Sequence, residues 1–248
     1  VALWADVYSA MVALSVIASH FSTPTYVYAR GALEAPVRAL LASVSQTETL
    51  LCYAVKANAN IALLRELLTL GCSLDVMSMG ELARALKAGA KGSTLIMSGL
   101  GKSDPEIAAA LRVQVRYLAI ESHEELVRIN AVASQLGVVA DVTLRVNPHV
   151  EALTHPHIAT GHKESKFGLD IEHVTDAVAT CRDLGAVRLV GISCHIGSQL
   201  LDLEGLIAAA QRLTSVWRAL QDMGLKLRYF GMGGGLGIRY ADEDPPSI

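Results

Sequence analysis

One lysine in this sequence lies where an amine nucleophile would be expected. Lys56 directly follows the short apolar segment 51–55, which has the composition of a buried strand. At a strand end, the low dielectric of the core and the other groups on the same edge of a sheet both favour a neutral amine. Such an amine can attack the carbonyl carbon of a cofactor or a substrate. A strand-end lysine can equally extend its ammonium group into solvent, so Lys56 alone leaves both interpretations open.

A run of glycines indicates a site for an anion. Gly233, Gly234 and Gly235 follow the predicted strand 229–232, and Gly237 comes shortly after them. Consecutive glycines let backbone amides approach a phosphate group closely. The spacing does not match GxGxxG, so a dinucleotide-binding fingerprint is not supported. A phosphate cup and a tight structural turn remain the two interpretations of this segment.

A histidine follows another predicted strand, at residues 189–194. The ring of His195 would lie over the end of that strand, where it could stack on a planar cofactor. The hydroxyl group of Ser198, close behind, could donate a hydrogen bond to a phosphate oxygen. From this segment alone, a histidine whose ring nitrogens bond to the backbone is an equally valid interpretation.

The connection between residues 147 and 168 contains four histidines, His149, His155, His157 and His162. No cysteine or spaced carboxylate completes a ligand set with them, and no HExxH motif occurs, so no metal site is predicted. The connection is much longer than a usual loop between a strand and a helix. Long loops on the edge of a scaffold that carries catalysis usually have a function.

These segments lie in a regular alternation of strands and helices. The predicted strands are residues 25–28, 51–55, 74–77, 94–97, 117–120, 142–146, 189–194 and 229–232. The predicted helices are residues 61–70, 79–88, 105–111, 123–136, 171–184 and 203–223, with apolar residues three and four apart. The glycines expected just past helix ends, in the left-handed conformation, are Gly71, Gly89, Gly137, Gly185 and Gly224.

The alternation predicts an α/β fold with a parallel sheet covered on both faces. Polar residues and glycines follow the ends of many strands, which is typical of a (β/α)8 TIM-type barrel. A doubly wound sheet would concentrate them at one switch point. We therefore expect residues 23–248 to form an incomplete barrel domain, preceded by a helical lead-in at residues 1–22.

Composition excludes several classes of protein. The chain has 248 residues, 52% of them hydrophobic, and a formal net charge of -3. Without a basic excess, neither nucleic acid nor an anionic membrane is expected as a partner. The apolar segment 7–18 is too short to span a bilayer, and an amphipathic helix is the better interpretation. The four cysteines form no CxxC pair, so reduced thiols in a cytoplasmic protein are expected.

Taken together and in order, the motifs resemble those of the fold-type III pyridoxal-phosphate-dependent decarboxylases, whose barrel is that of alanine racemase. Within that family they are most similar to the diaminopimelate decarboxylases. The matching segments are residues 23–28 (TPTYVY), 53–58 (YAVKAN), 74–76 (LDV), 78–82 (SMGEL), 144–148 (LRVNP), 154–161 (THPHIATG), 164–168 (ESKFG), 195–199 (HIGSQ) and 233–237 (GGGLG).

The resemblance implies a role for each matching residue. Lys56 would carry the pyridoxal 5'-phosphate cofactor covalently, and His195 would stack on its pyridine ring. Ser198 and the amides of the three glycines Gly233, Gly234 and Gly235 would hold its phosphate group. Asp75 and Arg145 would support the histidine and the ring substituents. Glu81 and Lys166 are expected to serve the structure, and Cys194 is not expected to act in catalysis.

The resemblance also implies an activity. The family's reaction is that of a carboxy-lyase, which removes carbon dioxide from meso-2,6-diaminopimelate to give L-lysine, in a homodimer. In the family, an eighth barrel strand ends in Glu-Pro-Gly-Arg and a β-rich C-terminal domain follows. Neither is found in these residues, so the chain alone is expected to be inactive.

Three alternatives remain open from the sequence. The first is a decarboxylase of the same fold that acts on another basic amino acid. The second is a non-catalytic relative that binds pyridoxal phosphate, although the presence of Lys56, His195 and the three glycines argues against it. The third is a barrel enzyme for sugar phosphates in which Lys56 serves an aldol reaction.

Overall fold

A computed structural model describes residues 8–9, 12–150 and 167–247. The strands are β1 (Tyr8–Ser9), β2 (Val12–Ala13), β3 (Cys52–Ala54), β4 (Ser73–Val76), β5 (Leu95–Met97), β6 (Leu118–Ile120), β7 (Ala140–Asn147), β8 (Leu169–Asp170), β9 (Val187–Ser193) and β10 (Tyr229–Gly231). The α-helices are α1 (Leu14–Phe21), α2 (Arg30–Ser43), α3 (Ile61–Thr69), α4 (Met79–Ala88), α5 (Asp104–Arg112), α6 (His123–Leu136), α7 (Val174–Asp183) and α8 (Glu204–Asp222).

The helices begin and end at residues whose side chains and conformations define helix termini. The hydroxyl group of Ser78 accepts a hydrogen bond from the Glu81 amide at the start of α4, and Ser122 has the same role at α6. Gly89 and Gly137 end these two helices in the left-handed conformation, at φ 104° and 67°. These four termini fix the direction in which each helix returns to the sheet.

Seven strands form one parallel sheet in the order β3-β4-β5-β6-β7-β9-β10, which is the order of the chain. The short β8 pairs with the end of β7, and β1 and β2 form a separate antiparallel pair. Among the described residues, no strand pairs with the outer edge of β3 or of β10. The fold is therefore a parallel α/β barrel sheet with an open seam, as the sequence predicts.

The sheet curls so that distant strands meet across its interior. The rings of Tyr117 and Tyr229, at the starts of the fourth and the seventh strand of the sheet, lie 5.0 Å apart between centroids. In β4, Leu74 and Val76 are fully buried against the helices, so Asp75 between them faces the inside of the barrel. Alternation along the strands thus separates an apolar layer under the helices from a polar interior.

The predicted elements of the sheet are confirmed, with strand ends that differ by at most two residues. The strand that precedes the three glycines is the seventh of the parallel series, as predicted. Gly185 is an exception among the predicted helix-terminal glycines: α7 ends at an extended Leu184, with φ -89° and ψ 127°, so no left-handed residue is needed there.

The N-terminal part differs from the sequence-based expectation in three places. Residues 25–28 form no strand, because no backbone hydrogen bond joins them to a neighbouring strand among the described residues and Tyr26 is 90% exposed. The lead-in helix begins only at Leu14, after β2. The helix α2 was not predicted; it contains Pro36 and packs Val37 onto Leu67 of α3. None of the helices in the described ranges is long and apolar enough to cross a membrane.

Candidate active site

The sequence-predicted site residues converge at the carboxyl-terminal edge of the sheet. Lys56 lies in the 3-10 turn Val55–Ala57 that follows β3, and Asp75 lies inside β4. Arg145 is near the end of β7, and His195 comes just after β9. Because parallel strands all end at the same edge, four separate segments supply one site.

Lys56 lies close to groups on both sides of the barrel. Its charge lowers the pKa of Asp75 on the neighbouring strand β4 and also that of His195 beyond β9. The first strand of the sheet therefore faces the sixth across the mouth of the barrel. The Lys56 side chain is exposed in this chain, which favours the interpretation in which its ammonium group extends into solvent.

Asp75 is the carboxylate that faces this amine. Burial raises the pKa of Asp75 from 3.8 to about 6, although the hydrogen bond from the Ser98 hydroxyl group and the charge of Lys56 both act to lower it. The Oγ atom of Ser98 donates to Oδ1 of Asp75 over 2.7 Å. At neutral pH, Asp75 is therefore mostly an ionised carboxylate inside the barrel.

His195 is a neutral imidazole over a wide range of pH. Burial, together with the positive charges of Arg145 and Lys56, lowers its pKa from 6.5 to about 4. A β-carbon built on Gly233 would lie 2.8 Å from Nδ1 of this ring and 2.7 Å from the Cys194 carbonyl oxygen. Glycine at position 233, at φ 70°, thus lets the chain pass directly beside the imidazole.

The glycine loop and the segment after β9 form one unit. Leu200 and Leu236 form a parallel bridge, in which the Leu200 amide donates to the Gly235 carbonyl oxygen and the Gly237 amide donates to the Leu200 carbonyl oxygen, each at 2.8 Å. A β-carbon on Gly235 would lie only 2.0 Å from the carbonyl oxygen of Gly197. The glycine loop and the segment after β9 can therefore pack this closely only because residue 235 has no side chain.

This pair of loops presents hydrogen-bond donors to solvent. Within the described part of the chain, the amides of Gly233, Gly234 and Gly235 donate to no backbone or side-chain acceptor. The hydroxyl group of Ser198, whose side chain is exposed, also has no partner there. A phosphate group is bound by hydrogen bonds to its oxygens, and amide and hydroxyl groups on two adjacent turns can donate them. The geometry is therefore suited to an anion.

A glutamate not singled out in the sequence completes the rim. The side chain of Glu121, directly after β6, is 1% exposed and forms an ion pair with Arg145, with 2.9 Å between Oε1 and Nη1. Glu121 opens the polar run ESHEE, which in sequence resembles an ordinary acidic helix start. Only the pairing of β6 with β7 shows that its carboxylate points at a cation.

A fully buried lysine was also missed. The side chain of Lys102 is 0% exposed, and its Nζ atom donates to the carbonyl oxygens of Gly99 at 2.7 Å and Ala119 at 2.6 Å and to Oε1 of Glu125 at 2.8 Å. Three donors thus meet three acceptors. The sequence around Lys102 is polar and glycine-rich, so nothing in its pattern indicates a buried ammonium group.

The remaining residues considered from the sequence are Glu81, Lys166 and the histidines of the connection 147–168. Glu81 serves the structure, since its Oε2 atom accepts the Met77 amide at 2.8 Å. His149 pairs with Asp170, with 3.0 Å between Nε2 and Oδ2. Among the residues with described positions, no group of three potential ligands could hold a metal ion. The predicted residues outside the described ranges are His155, His157, His162 and Lys166.

Cys194 is buried beside the site, and burial raises the pKa of its thiol to about 11. A thiol with such a pKa carries almost no thiolate at neutral pH. The absence of a catalytic role for Cys194 stays a prediction. Cys52 and Cys181 have their thiol pKa raised to about 11 for the same reason.

We expect the stability of the fold to depend on Asp75 and His195 with opposite signs. The folded chain retains a proton on Asp75 up to about pH 6, so the contribution of Asp75 is full below pH 3.8 and is lost as pH rises through 6. His195 stays neutral down to about pH 4, so its contribution is full above pH 6.5 and is lost as pH falls through 4.

Single variants separate the two effects, each on the order of 3 kcal/mol. Relative to the wild type, His195→Gln is expected to lose stability as pH rises from 4 to 6.5, and Asp75→Asn to gain it. Urea unfolding at several pH values measures both. Parallel pH profiles for the wild type and both variants would contradict the assignment.

A parallel α/β barrel with an amine, an imidazole and an amide cup at its mouth has the groups that a phosphorylated carbonyl cofactor requires. The chain belongs to the family described as pyridoxal-dependent decarboxylase, pyridoxal binding domain, whose model matches residues 31–248.

The similar proteins agree with this family. The diaminopimelate decarboxylase of Pseudomonas aeruginosa is 45% identical over 242 residues, and that of Vibrio cholerae is 42% identical over 244 residues; each covers 98% of this chain. The solved structure of diaminopimelate decarboxylase from Helicobacter pylori complexed with L-lysine is 36% identical, with a TM-score of 0.89 over 94% of this chain. The chain spans 58% of each of the two sequences and 59% of the solved chain.

The described residues fit pyridoxal phosphate. The unpartnered amides of residues 233–235 and the Ser198 hydroxyl group suit its phosphate group. Lys56 extends into the open mouth, where its amine can reach an aldehyde carbon. The neutral, half-buried ring of His195 offers a flat face that carries no charge against an aromatic ring.

Proposed function

We propose that this chain is the cofactor-binding barrel of a diaminopimelate decarboxylase, which converts meso-2,6-diaminopimelate into L-lysine and carbon dioxide. The observation that carries the proposal is the position of Lys56, whose charge acts on Asp75 and on His195 from opposite sides of the same barrel mouth. The substrate is inferred from the curated relatives, which bear this name at 45% and 42% identity.

Each residue of the proposed site has one task. Lys56 attaches the cofactor, His195 supports the face of its ring, and Ser198 with the amides of residues 233–235 holds its phosphate group. Asp75 and Arg145 set the charge around these groups. When bound, pyridoxal phosphate supplies a ring that accepts the electron pair left by departing carbon dioxide.

We also propose a homodimer in the cytoplasm. Apolar side chains of the N-terminal segment lack cover in the single chain: Phe21 is 70% exposed, Tyr26 90% and Tyr28 55%. A cluster of this kind supports association with another surface. Sedimentation equilibrium tests the dimer, and a monomer at every concentration would contradict it. The proposed location rests on the family assignment.

The proposed division of the protein is residues 1–22 as a lead-in and residues 23–248 as part of the barrel domain. Since the chain spans 58% of the length of the first relatives, we propose that decarboxylation requires further sequence. Release of carbon dioxide from diaminopimelate by the purified 248-residue chain would contradict this proposal.

Trapping of the cofactor tests the site directly. The chain is incubated with pyridoxal phosphate and reduced with borohydride, and the modified lysine is located by peptide mass spectrometry. We expect modification at Lys56, which is lost in Lys56→Ala and kept in Lys87→Ala, a change at an exposed lysine of α4. Labelling spread evenly over the surface lysines would contradict the proposed function.

A further inference from the structure

The two carboxylate oxygens of Glu121 are bonded to two other segments of the chain. Oε1 accepts a hydrogen bond from Nη1 of Arg145 at 2.9 Å, and Oε2 accepts one from the backbone amide of Gly168 at 3.3 Å. The side chain of Glu121 is 1% exposed. A buried carboxylate therefore connects the end of β6 to the end of β7 and to the residue just before β8.

Arg145 also packs against the residues just before β8. Its guanidinium carbon lies 5.2 Å from the centroid of the Phe167 ring. Gly168, at φ 78°, packs so closely that a β-carbon there would lie 3.0 Å from the Arg145 carbonyl oxygen. Within the described ranges, Glu121 is the one carboxylate that forms an ion pair with Arg145. Removal of that carboxylate takes away the counterion that this part of the chain supplies to the guanidinium group.

The charge of Glu121 is directed at Arg145, because the nearest buried cation has its own partner. The ammonium group of Lys102 pairs with Oε1 of Glu125, whose Oε2 atom accepts the backbone amide of Glu121 at 2.9 Å. Two ion pairs thus lie side by side, and only the pair of Glu121 reaches the rim. From there, the charge of Arg145 acts on His195.

We propose that Glu121 is a positioning residue, which holds the guanidinium group of Arg145 beside His195 and thereby maintains the face on which the cofactor ring is bound. The cofactor part rests on the proposed function. The part that concerns Arg145 and His195 does not, since it follows from contacts within the chain.

The test follows the titration of His195 by NMR in the chain labelled at histidine, without cofactor, with His195→Gln to assign the signal. Among the described residues, the influences on this imidazole include burial, Arg145 and Lys56. The pKa of His195 is expected to rise in Arg145→Met because a positive charge is removed. If Glu121 holds Arg145 in place, Glu121→Ala releases it and the pKa of His195 also rises. If Arg145 stays in place without Glu121, the loss of a negative charge lowers that pKa, which would overturn the proposal.

A double-mutant cycle and a conservative variant complete the test. In the Arg145→Met background, Glu121→Ala is expected to raise the pKa of His195 no further. Glu121→Asp keeps the charge but shortens the side chain, so a rise in the pKa of His195 in this variant reports the displacement of Arg145 alone. This variant also replaces Glu121→Ala in the test if Glu121→Ala does not fold. An unchanged His195 in Glu121→Asp would overturn the proposal. The exposed control Glu124→Gln is expected to leave His195 unchanged.

Cofactor affinity provides a second readout. Glu121→Ala and Arg145→Met are each expected to weaken pyridoxal phosphate binding about tenfold, and the double variant by no more than Arg145→Met alone. Independent, multiplied effects would contradict the positioning role. Failure of the wild-type chain to bind the cofactor would contradict the proposed function, while the titration of His195 would still decide the role of Glu121.

Discussion

Gly235→Ala is expected to lower the free energy of unfolding by about 2–4 kcal/mol and to weaken pyridoxal phosphate binding more than tenfold. A β-carbon at this position would lie 2.0 Å from the Gly197 carbonyl oxygen, and the backbone has φ 98°. The clash is with backbone, so no side-chain rotation relieves it. The two loops must separate, which displaces the amide donors. Urea unfolding and a cofactor titration measure the two effects.

Gly234→Ala is the matched control, one residue earlier in the same loop. A β-carbon on Gly234 meets no protein atom within 4 Å, and this residue is not among those with positive φ. Its stability is expected to remain within about 0.5 kcal/mol of the wild type. Equal destabilisation by the two alanines would show that loop packing does not depend on the contact with Gly197.

Lys102→Met is expected to destabilise the fold by about 3–5 kcal/mol, because it leaves the buried carboxylate of Glu125 without its counterion. The change also removes the donor to the carbonyl oxygens of Gly99 and Ala119. Since the total stability of a domain is commonly about 5–15 kcal/mol, this loss is a large fraction of it. Chemical unfolding of the two proteins under the same conditions measures the difference.

Two further variants test whether the loss of stability in Lys102→Met comes from the unpaired buried charge. Lys87→Met, at an exposed lysine of α4, is expected to change stability by less than about 0.5 kcal/mol. Adding Glu125→Leu to Lys102→Met removes the unpaired charge and should recover at least about 1 kcal/mol. A double variant less stable than Lys102→Met would contradict the role assigned to the ion pair.

The sheet and most of its helices could be predicted because each element carries its own signal. Helices α4 and α6 were predicted with both ends correct, since a serine precedes each and a glycine follows it. The segment 25–28 was assigned to a strand on its β-branched and aromatic composition alone. Such composition is favourable only where a neighbouring strand accepts the hydrogen bonds. Conversely, α2 contains Pro36, which local sequence rules treat as a helix break.

The convergence of Lys56, His195 and the three glycines at one edge of the sheet could be predicted, because each of them follows a strand whose apolar sequence is easily recognised. Glu121 and Lys102 could not, because a charged residue in a polar segment is usually solvated. Glu121 and Lys102 are buried because residues from other strands and helices cover them in the folded chain. The exposure of Lys56 is decided by tertiary structure in the same way, since its local sequence is that of a buried strand end.

The agreement between strand order in the sheet and strand order in the chain has a consequence for synthesis. Every strand from β4 to β10 pairs with the parallel barrel strand made just before it, so no strand of this sheet needs to wait for a distant one. Short sequence separation between partners favours rapid pairing. A chain that emerges from the ribosome with its N-terminus first can therefore enlarge the sheet one strand and one helix at a time. The fold lends itself to assembly in the direction of translation, and the glycine loop of the proposed cofactor site is added at the seventh strand.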